Sequence, residues 1–77
     1  MKRLIRDKRS KRFFRGGGQW TDDNQLAKNF RSSGLAVMAC RENGLSGVEV
    51  VLQVGDRPSQ YDVVLPVMDV EGERQEA

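Results

Sequence analysis

The chain has 77 residues, 38% hydrophobic and 31% charged, with no histidine and one cysteine. This length fits one small domain, and the lack of histidine removes the commonest general base and metal ligand. A single cysteine excludes an intrachain disulfide, and the longest uncharged run, residues 32–40, is far too short to span a membrane.

Charge is distributed unevenly along the sequence. Residues 1–31 carry ten Lys and Arg against three acids, a net charge of +7, whereas residues 41–77 carry three Arg against eight acids, a net charge of −5. A basic segment of this kind attracts nucleic acid, or the acidic surface of the same chain, of a second copy or of another protein. Because no apolar secretory segment follows the N-terminal charges, we expect a cytoplasmic protein without a membrane partner.

The basic N-terminal segment predicts a β-hairpin. Residues 1–7 hold the adjacent apolar pair Leu4-Ile5, and residues 12–15 hold the aromatic pair Phe13-Phe14. Both segments favour short strands, and residues 8–11 form a polar turn between them. A run of three glycines, residues 16–18, follows the second strand. Since glycine adopts positive φ without steric cost, this run predicts a sharp change of chain direction.

Residues 22–43 hold the helical pattern of the chain. With Asp22 as N-cap, Leu26, Ala27 and Phe30 lie on one apolar face of a first helix. Trp20 precedes this cap, and we expect its ring to pack onto the first helical turn.

Ser32-Ser33-Gly34 interrupts that pattern and predicts a break in the helix. A second helical segment then begins at a serine cap, Ser32 or Ser33, and ends at Asn43-Gly44. The alternative is one kinked helix over residues 23–43.

Two further strands follow the helical region. Val48, Val50, Leu52 and Val54 line one face and Glu49, Val51 and Gln53 the other, which predicts a strand with one face against the helix. Tyr61, Val63, Leu65 and Val67 give another alternation, and Pro66 places it at a sheet edge because proline donates no backbone hydrogen bond.

The predicted fold is a small α+β domain of ββαββ order, with an antiparallel or mixed sheet and a broken helix on one face. We assign residues 1–70 to this domain and residues 71–77 to a flexible acidic tail. The expected core consists of Leu26, Phe30, Leu35, Met38, Val50 and Leu52, with Cys40 beside it.

Several sequence features resemble known proteins. Arg12-Phe13-Phe14-Arg15-Gly16-Gly17, then Trp20-Thr21-Asp22-Asp23, then Ala27 and Phe30, resemble a pattern in short uncharacterised bacterial and phage proteins. There an aromatic hairpin leads through Gly and Trp-Thr into a helix; the likeness covers the first half of the chain and implies a fold but no activity. The layout is also distantly similar to the three-stranded arm-binding domains of phage integrases, which grip DNA with a sheet. A third strand before the helix is not predicted here.

The sequence does not predict an enzyme, a cofactor or a metal site. Cys40 has no histidine to activate it and lies in an apolar stripe, while Asp22 and Asp23 fit helix capping. The glycine run matches no phosphate-binding fingerprint, and the two aspartates after it would repel an anion.

The basic hairpin is the candidate functional region, for weak, charge-led association with nucleic acid. The candidate phosphate contacts are Arg6, Lys8, Arg9, Lys11, Arg12 and Arg15. The candidate stacking residues are Phe13 and Trp20. The structural alternative is a solvated hairpin whose aromatic rings belong to the core. The functional alternative is a protein-interaction or self-assembly module, including a homo-oligomer.

Overall fold

The computed structural model describes residues 1–68, which form one helix and a five-stranded sheet. The elements are β1 (Lys2–Asp7), β2 (Phe13–Gly16), β3 (Gln19–Thr21), α1 (Ser33–Glu42), β4 (Val48–Gln53) and β5 (Val63–Pro66). The strand order is β3-β2-β1-β4-β5, and every neighbouring pair is antiparallel. The predicted α+β class is therefore confirmed, with the antiparallel form of the sheet. The predicted acidic tail lies outside the described residues.

The glycine run forms a hairpin turn between β2 and β3. Gly17 and Gly18 have φ values of 59° and 74°, the two positive angles typical of a tight two-residue hairpin. Gly16, with φ of 97°, pairs with Gln19 beside a register shift in β2. The sharp turn is confirmed, but the strand that it starts, β3, was not predicted, so the element order is βββαββ.

The predicted first helix, with Asp22 as its cap, is wrong, as is the single kinked helix over residues 23–43. Residues 22–27 form turns in which Asp23 donates its backbone N–H to the Thr21 hydroxyl at 3.0 Å and accepts from Gln25 N at 2.9 Å. These local side-chain bonds offer the backbone an alternative to helical hydrogen bonding.

The segment of residues 28–30 joins the sheet instead of a helix. Phe30 N donates to Arg3 O at 2.9 Å, and Lys28 N donates to Phe14 O, also at 2.9 Å. Asn29 Oδ1 accepts from Arg3 N at 3.0 Å. The segment therefore bonds to both β1 and β2, and it places the Phe30 ring, 9% exposed, in the core.

Helix α1 begins and ends where the sequence predicts. Ser32 is the N-cap, and its hydroxyl accepts from Leu35 N at 3.1 Å. At the other end Gly44 has φ of 64°, with hydrogen bonds from Gly44 N to Arg41 O and from Leu45 N to Cys40 O. This pair of bonds is a Schellman motif, which requires a left-handed residue at the glycine position.

The sheet carries buried side chains on both faces. One face packs against α1 in a cluster of Ile5, Phe14, Phe30, Ala36, Cys40, Val48, Val50 and Val67. Neighbouring strand residues point to opposite faces, so Leu4 and Val51, paired across β1 and β4, lie on the other face. Both are buried there, as are Phe13 and Gln53.

Half of the predicted core residues lie at the surface. Phe30 and Val50 are buried and Leu52 is partly buried, whereas Leu26, Leu35 and Met38 are 54%, 47% and 53% exposed. Leu26 lacks the helix that would have turned it inward. Helix α1 instead buries Ala36 and Cys40, one turn apart.

Two exposed helix residues line a surface groove. Leu35 and Met38 lie beside Phe14 and Phe30 in a groove of about 420 Å³ between α1 and the glycine turn. Trp20 does not pack onto a helical turn as predicted: its ring lies edge-on to Phe14, with centroids 5.4 Å apart.

Candidate nucleic-acid interface

The turn between β1 and β2, residues 8–11, is held by Asp7. Asp7 O accepts from Lys11 N and Asp7 N donates to Arg12 O, both at 2.8 Å. The Asp7 carboxylate accepts from Ser10 N at 2.8 Å, and the Ser10 hydroxyl accepts from Arg12 N at 3.2 Å. Four hydrogen bonds within six residues fix the backbone from which the basic side chains project.

The Asp7 carboxylate is ionised at neutral pH. Its pKa is lowered mainly by the hydrogen bonds from Ser10, with a smaller contribution from the charge of Arg9. The Asp7 carboxylate, the one acidic group of the turn, is therefore used to fix the backbone of the turn. The basic side chains of residues 8–11 point to solvent.

Three cations of the turn are exposed. Lys8, Arg9 and Lys11 form no ion pair within residues 1–68. Lys11 has φ of 66°, an uncommon value for a residue with a side chain. Arg15, on the neighbouring strand, is exposed as well. These four residues leave their charges available to a ligand.

The other two predicted phosphate contacts are engaged within the protein. The Arg6 guanidinium lies 2.7 Å from the Glu49 carboxylate, and its side chain is only 22% exposed. Arg12 lies 3.3 Å from Asp22 in an exposed ion pair. Arg6 therefore connects two strands, whereas Arg12 remains accessible at the side of the turn.

The predicted stacking residues belong largely to the interior. Phe13 is 5% exposed, so its ring has no free face for a nucleobase. Trp20 is half-buried against Phe14. The adjacency of Phe13 and Phe14 predicts that one ring lies on each face of the sheet, because neighbouring strand residues point to opposite faces. Both faces of this sheet are buried, and so both rings are buried.

Two open depressions flank the turn and share Asp7. One, of about 290 Å³, is lined by Asp7, Ser10, Arg12 and Trp20. The other, of about 550 Å³, is lined by Asp7, Lys8, Arg9, Ser46 and Gly47. Sequence reasoning missed Ser46 and Gly47, which come to the turn through a hydrogen bond from Lys8 N to Gly47 O at 3.0 Å. No local signal links residues so far apart in sequence.

Residues 1–68 contain no cluster of three or more Cys, Asp or Glu side chains arranged to bind a metal ion. Cys40 is buried, and burial raises the pKa of its thiol, which disfavours the reactive thiolate. Within the same part of the chain, no helix has the length and apolar character needed to cross a bilayer.

The fold and the site define a small α+β domain that presents a hydrogen-bonded basic turn. Comparisons with protein-family models, curated proteins and solved structures find no match.

Proposed function

We propose that the protein associates with nucleic acid through phosphate contacts made by the turn of residues 8–11. The observation that carries this proposal is the presentation of Lys8, Arg9 and Lys11 on a backbone fixed by Asp7 and Ser10. Lysine and arginine side chains neutralise phosphates and release the counterions condensed on the nucleic acid.

The local charge favours an anionic ligand. Residues 7–12 contain four basic residues and one acid, a net charge of +3. Because the turn is already ordered, binding does not have to order its backbone, which lowers the entropic cost of association.

Binding of this kind is led by phosphate groups and not by bases. Phe13 is buried and Trp20 packs on Phe14, which removes the aromatic platform that recognition of single strands uses. Phosphate contacts position a protein without reading sequence. We therefore expect weak affinity that depends little on sequence and strongly on salt.

The test uses the intrinsic fluorescence of Trp20, the only tryptophan of the chain, which lines the depression beside the turn. Duplex DNA is titrated into the parent and into the double variant Lys8→Gln/Arg9→Gln. Lys11 is left unchanged, so that the variant loses two positive charges, the same number as its control.

The matched control is Arg31→Gln/Arg57→Gln, which removes the same charge from exposed positions. Arg31 follows Phe30, which bonds to Arg3, and Arg57 lies in the loop after β4, so both are near the end of β1 opposite to the turn. If only the net charge of the protein mattered, both double variants would lose affinity for DNA equally.

We expect only the turn variant to lose affinity for DNA. The slope of log affinity against log salt concentration should be smaller in magnitude by up to about 1.8, or about 0.9 for each lost phosphate contact. Equal affinity of the two double variants, or no binding by the parent at low salt, would overturn the proposal. A thermal melt of each variant checks that the fold is intact.

A further inference from the structure

We propose that β5 pairs with β5 of a second copy, antiparallel across a two-fold axis, to extend the sheet to ten strands. Strand β5 forms one edge of the sheet and is hydrogen-bonded within residues 1–68 to β4 alone. An edge strand leaves a row of backbone donors and acceptors free for pairing with another chain.

The side chains of this edge are apolar and exposed. Val63 and Val64, on opposite faces of the sheet, are 50% and 43% exposed. Met68 and Tyr61 on either side of the strand are more exposed still. Apolar exposure on both faces at one edge is the pattern expected where a neighbouring strand is missing.

The usual protection of an edge strand is weak here. Residues 63–68 contain no charged side chain, although Lys, Arg or inward-pointing charges commonly block such edges. The nearest acid in the described structure, Asp62, is engaged in its own loop, where its carboxylate accepts from Val54 N and Ser59 N. Pro66 protects only the end of the strand, since it lacks one backbone donor.

The opposite edge explains why the expected occupant is a second β5. Strand β3 has three residues, follows a register shift in β2, and is followed by the exposed acids Asp22 and Asp23. These are three recognised protections of an edge. Pairing of β5 with itself is also closed by two-fold symmetry, whereas pairing of β5 with β3 would continue into a filament.

The proposed pairing is centred on Val64, which then lies at the two-fold axis. In that register Val63 lies opposite Leu65 of the second copy, and Pro66 lies opposite Asp62. This last pairing adds no backbone hydrogen bond, because Pro66 has no N–H and Asp62 N already donates to Ser59 O at 3.2 Å. The short strand predicts a dimer that dissociates on dilution.

The first test is sedimentation of the full chain over a concentration series. The parent should approach twice its mass of 8.7 kDa at high concentration, and Val64→Lys should remain monomeric with an unchanged circular dichroism spectrum. The matched control, Gln19→Lys on the opposite edge, should still dimerise. A monomeric parent, or a Val64→Lys variant that is folded and still dimerises, would overturn the proposal.

A second test does not depend on the stability of the lysine variant. Cα atoms of opposed antiparallel residues lie about 4.5–5.5 Å apart, within the range of a disulfide. Val64→Cys should therefore form a covalent dimer on mild oxidation, and Gln19→Cys should form much less. The native Cys40 is 1% exposed and should not contribute. Equal crosslinking of the two variants would show that collision, and not a β5 interface, brings the cysteines together.

Discussion

Arg6 and Glu49 are opposed in the β1–β4 ladder, and their side chains form a charged hydrogen bond of 2.8 Å from Arg6 Nε to Glu49 Oε2. The two side chains are only 22% and 12% exposed. A guanidinium so placed connects the N-terminal hairpin to the C-terminal half of the chain, and so it belongs to the fold.

Replacement of Arg6 with glutamine should therefore lower the free energy of unfolding by about 1–3 kcal/mol, because the Glu49 carboxylate loses its charged partner in a partly buried site. Affinity of the folded variant for nucleic acid should be unchanged. Chemical denaturation measures the loss, with Arg15→Gln as an exposed control that should change stability by less than about 0.5 kcal/mol. A parent-like denaturation midpoint for Arg6→Gln would contradict this role.

Acid should destabilise the protein through Asp7 and Asp62. Hydrogen bonds from Ser10 lower the pKa of Asp7, and hydrogen bonds from Ser59 are the largest cause that lowers the pKa of Asp62, both below the ordinary value of 3.8. Because each folded pKa lies below its unfolded value, the ionised form contributes stability that is fully present above 3.8 and is lost as the pH falls through the folded pKa.

The melting temperature should accordingly fall as the pH is lowered below about 4. Asp7→Asn/Asp62→Asn should be less stable than the parent at neutral pH and should show a shallower acid dependence. A double variant whose acid dependence matched that of the parent would show that other groups control acid unfolding.

Cys40 should be nearly inert in the native state. It is 1% exposed among core residues, and burial raises the pKa of its thiol. Modification then requires opening of the fold, so labelling should be slower than in denaturant by about 100-fold to 1,000-fold, the range that a marginally stable small domain allows. Similar rates in both conditions would mean that α1 opens readily.

Phe30 and Leu26 should differ sharply on truncation to alanine. Phe30 is 9% exposed in the main cluster, and its removal should cost about 3–5 kcal/mol, most of the stability of a domain of this size. Leu26 is 54% exposed, and its truncation should lower the free energy of unfolding by less than about 0.5 kcal/mol. Thermal melts compare them, and similar losses for both would place Leu26 in the core.

Gln53 should tolerate an apolar replacement. Its side chain is fully buried, with Nε2 donating to Gly55 O at 2.8 Å and Oε1 without a hydrogen-bond partner among the described residues. An unpaired buried acceptor costs about 1–3 kcal/mol, whereas exposed Gly55 O can bond to water instead. Gln53→Met should therefore leave stability unchanged or raise it by up to about 2 kcal/mol, and a clear loss in denaturation would indicate a hidden partner for Oε1.

Local chemistry predicted the elements whose determinants are adjacent in sequence. The turn at residues 8–11, the glycine turn, the Ser32 cap and the Gly44 end depend on backbone angles and on side chains within a few residues. Strand β4 was predicted from its alternation. The propensity rules failed at residues 22–30, where an apolar spacing like that of a helix coexists with turn-forming Thr21 and Asp23, and hydrogen bonds to the sheet decide the outcome.

The candidate site likewise combines features that local sequence determines with features that tertiary contacts determine. The sequence by itself determined the charge asymmetry and the position of the basic turn, because composition and short-range turn chemistry suffice for both. Only the tertiary structure decided that Arg6 pairs with Glu49, 43 residues away, that Phe13 is buried and that β5 is an apolar edge. Strand pairing and burial depend on contacts between distant parts of the chain, and a local pattern carries no information about which partner a residue meets.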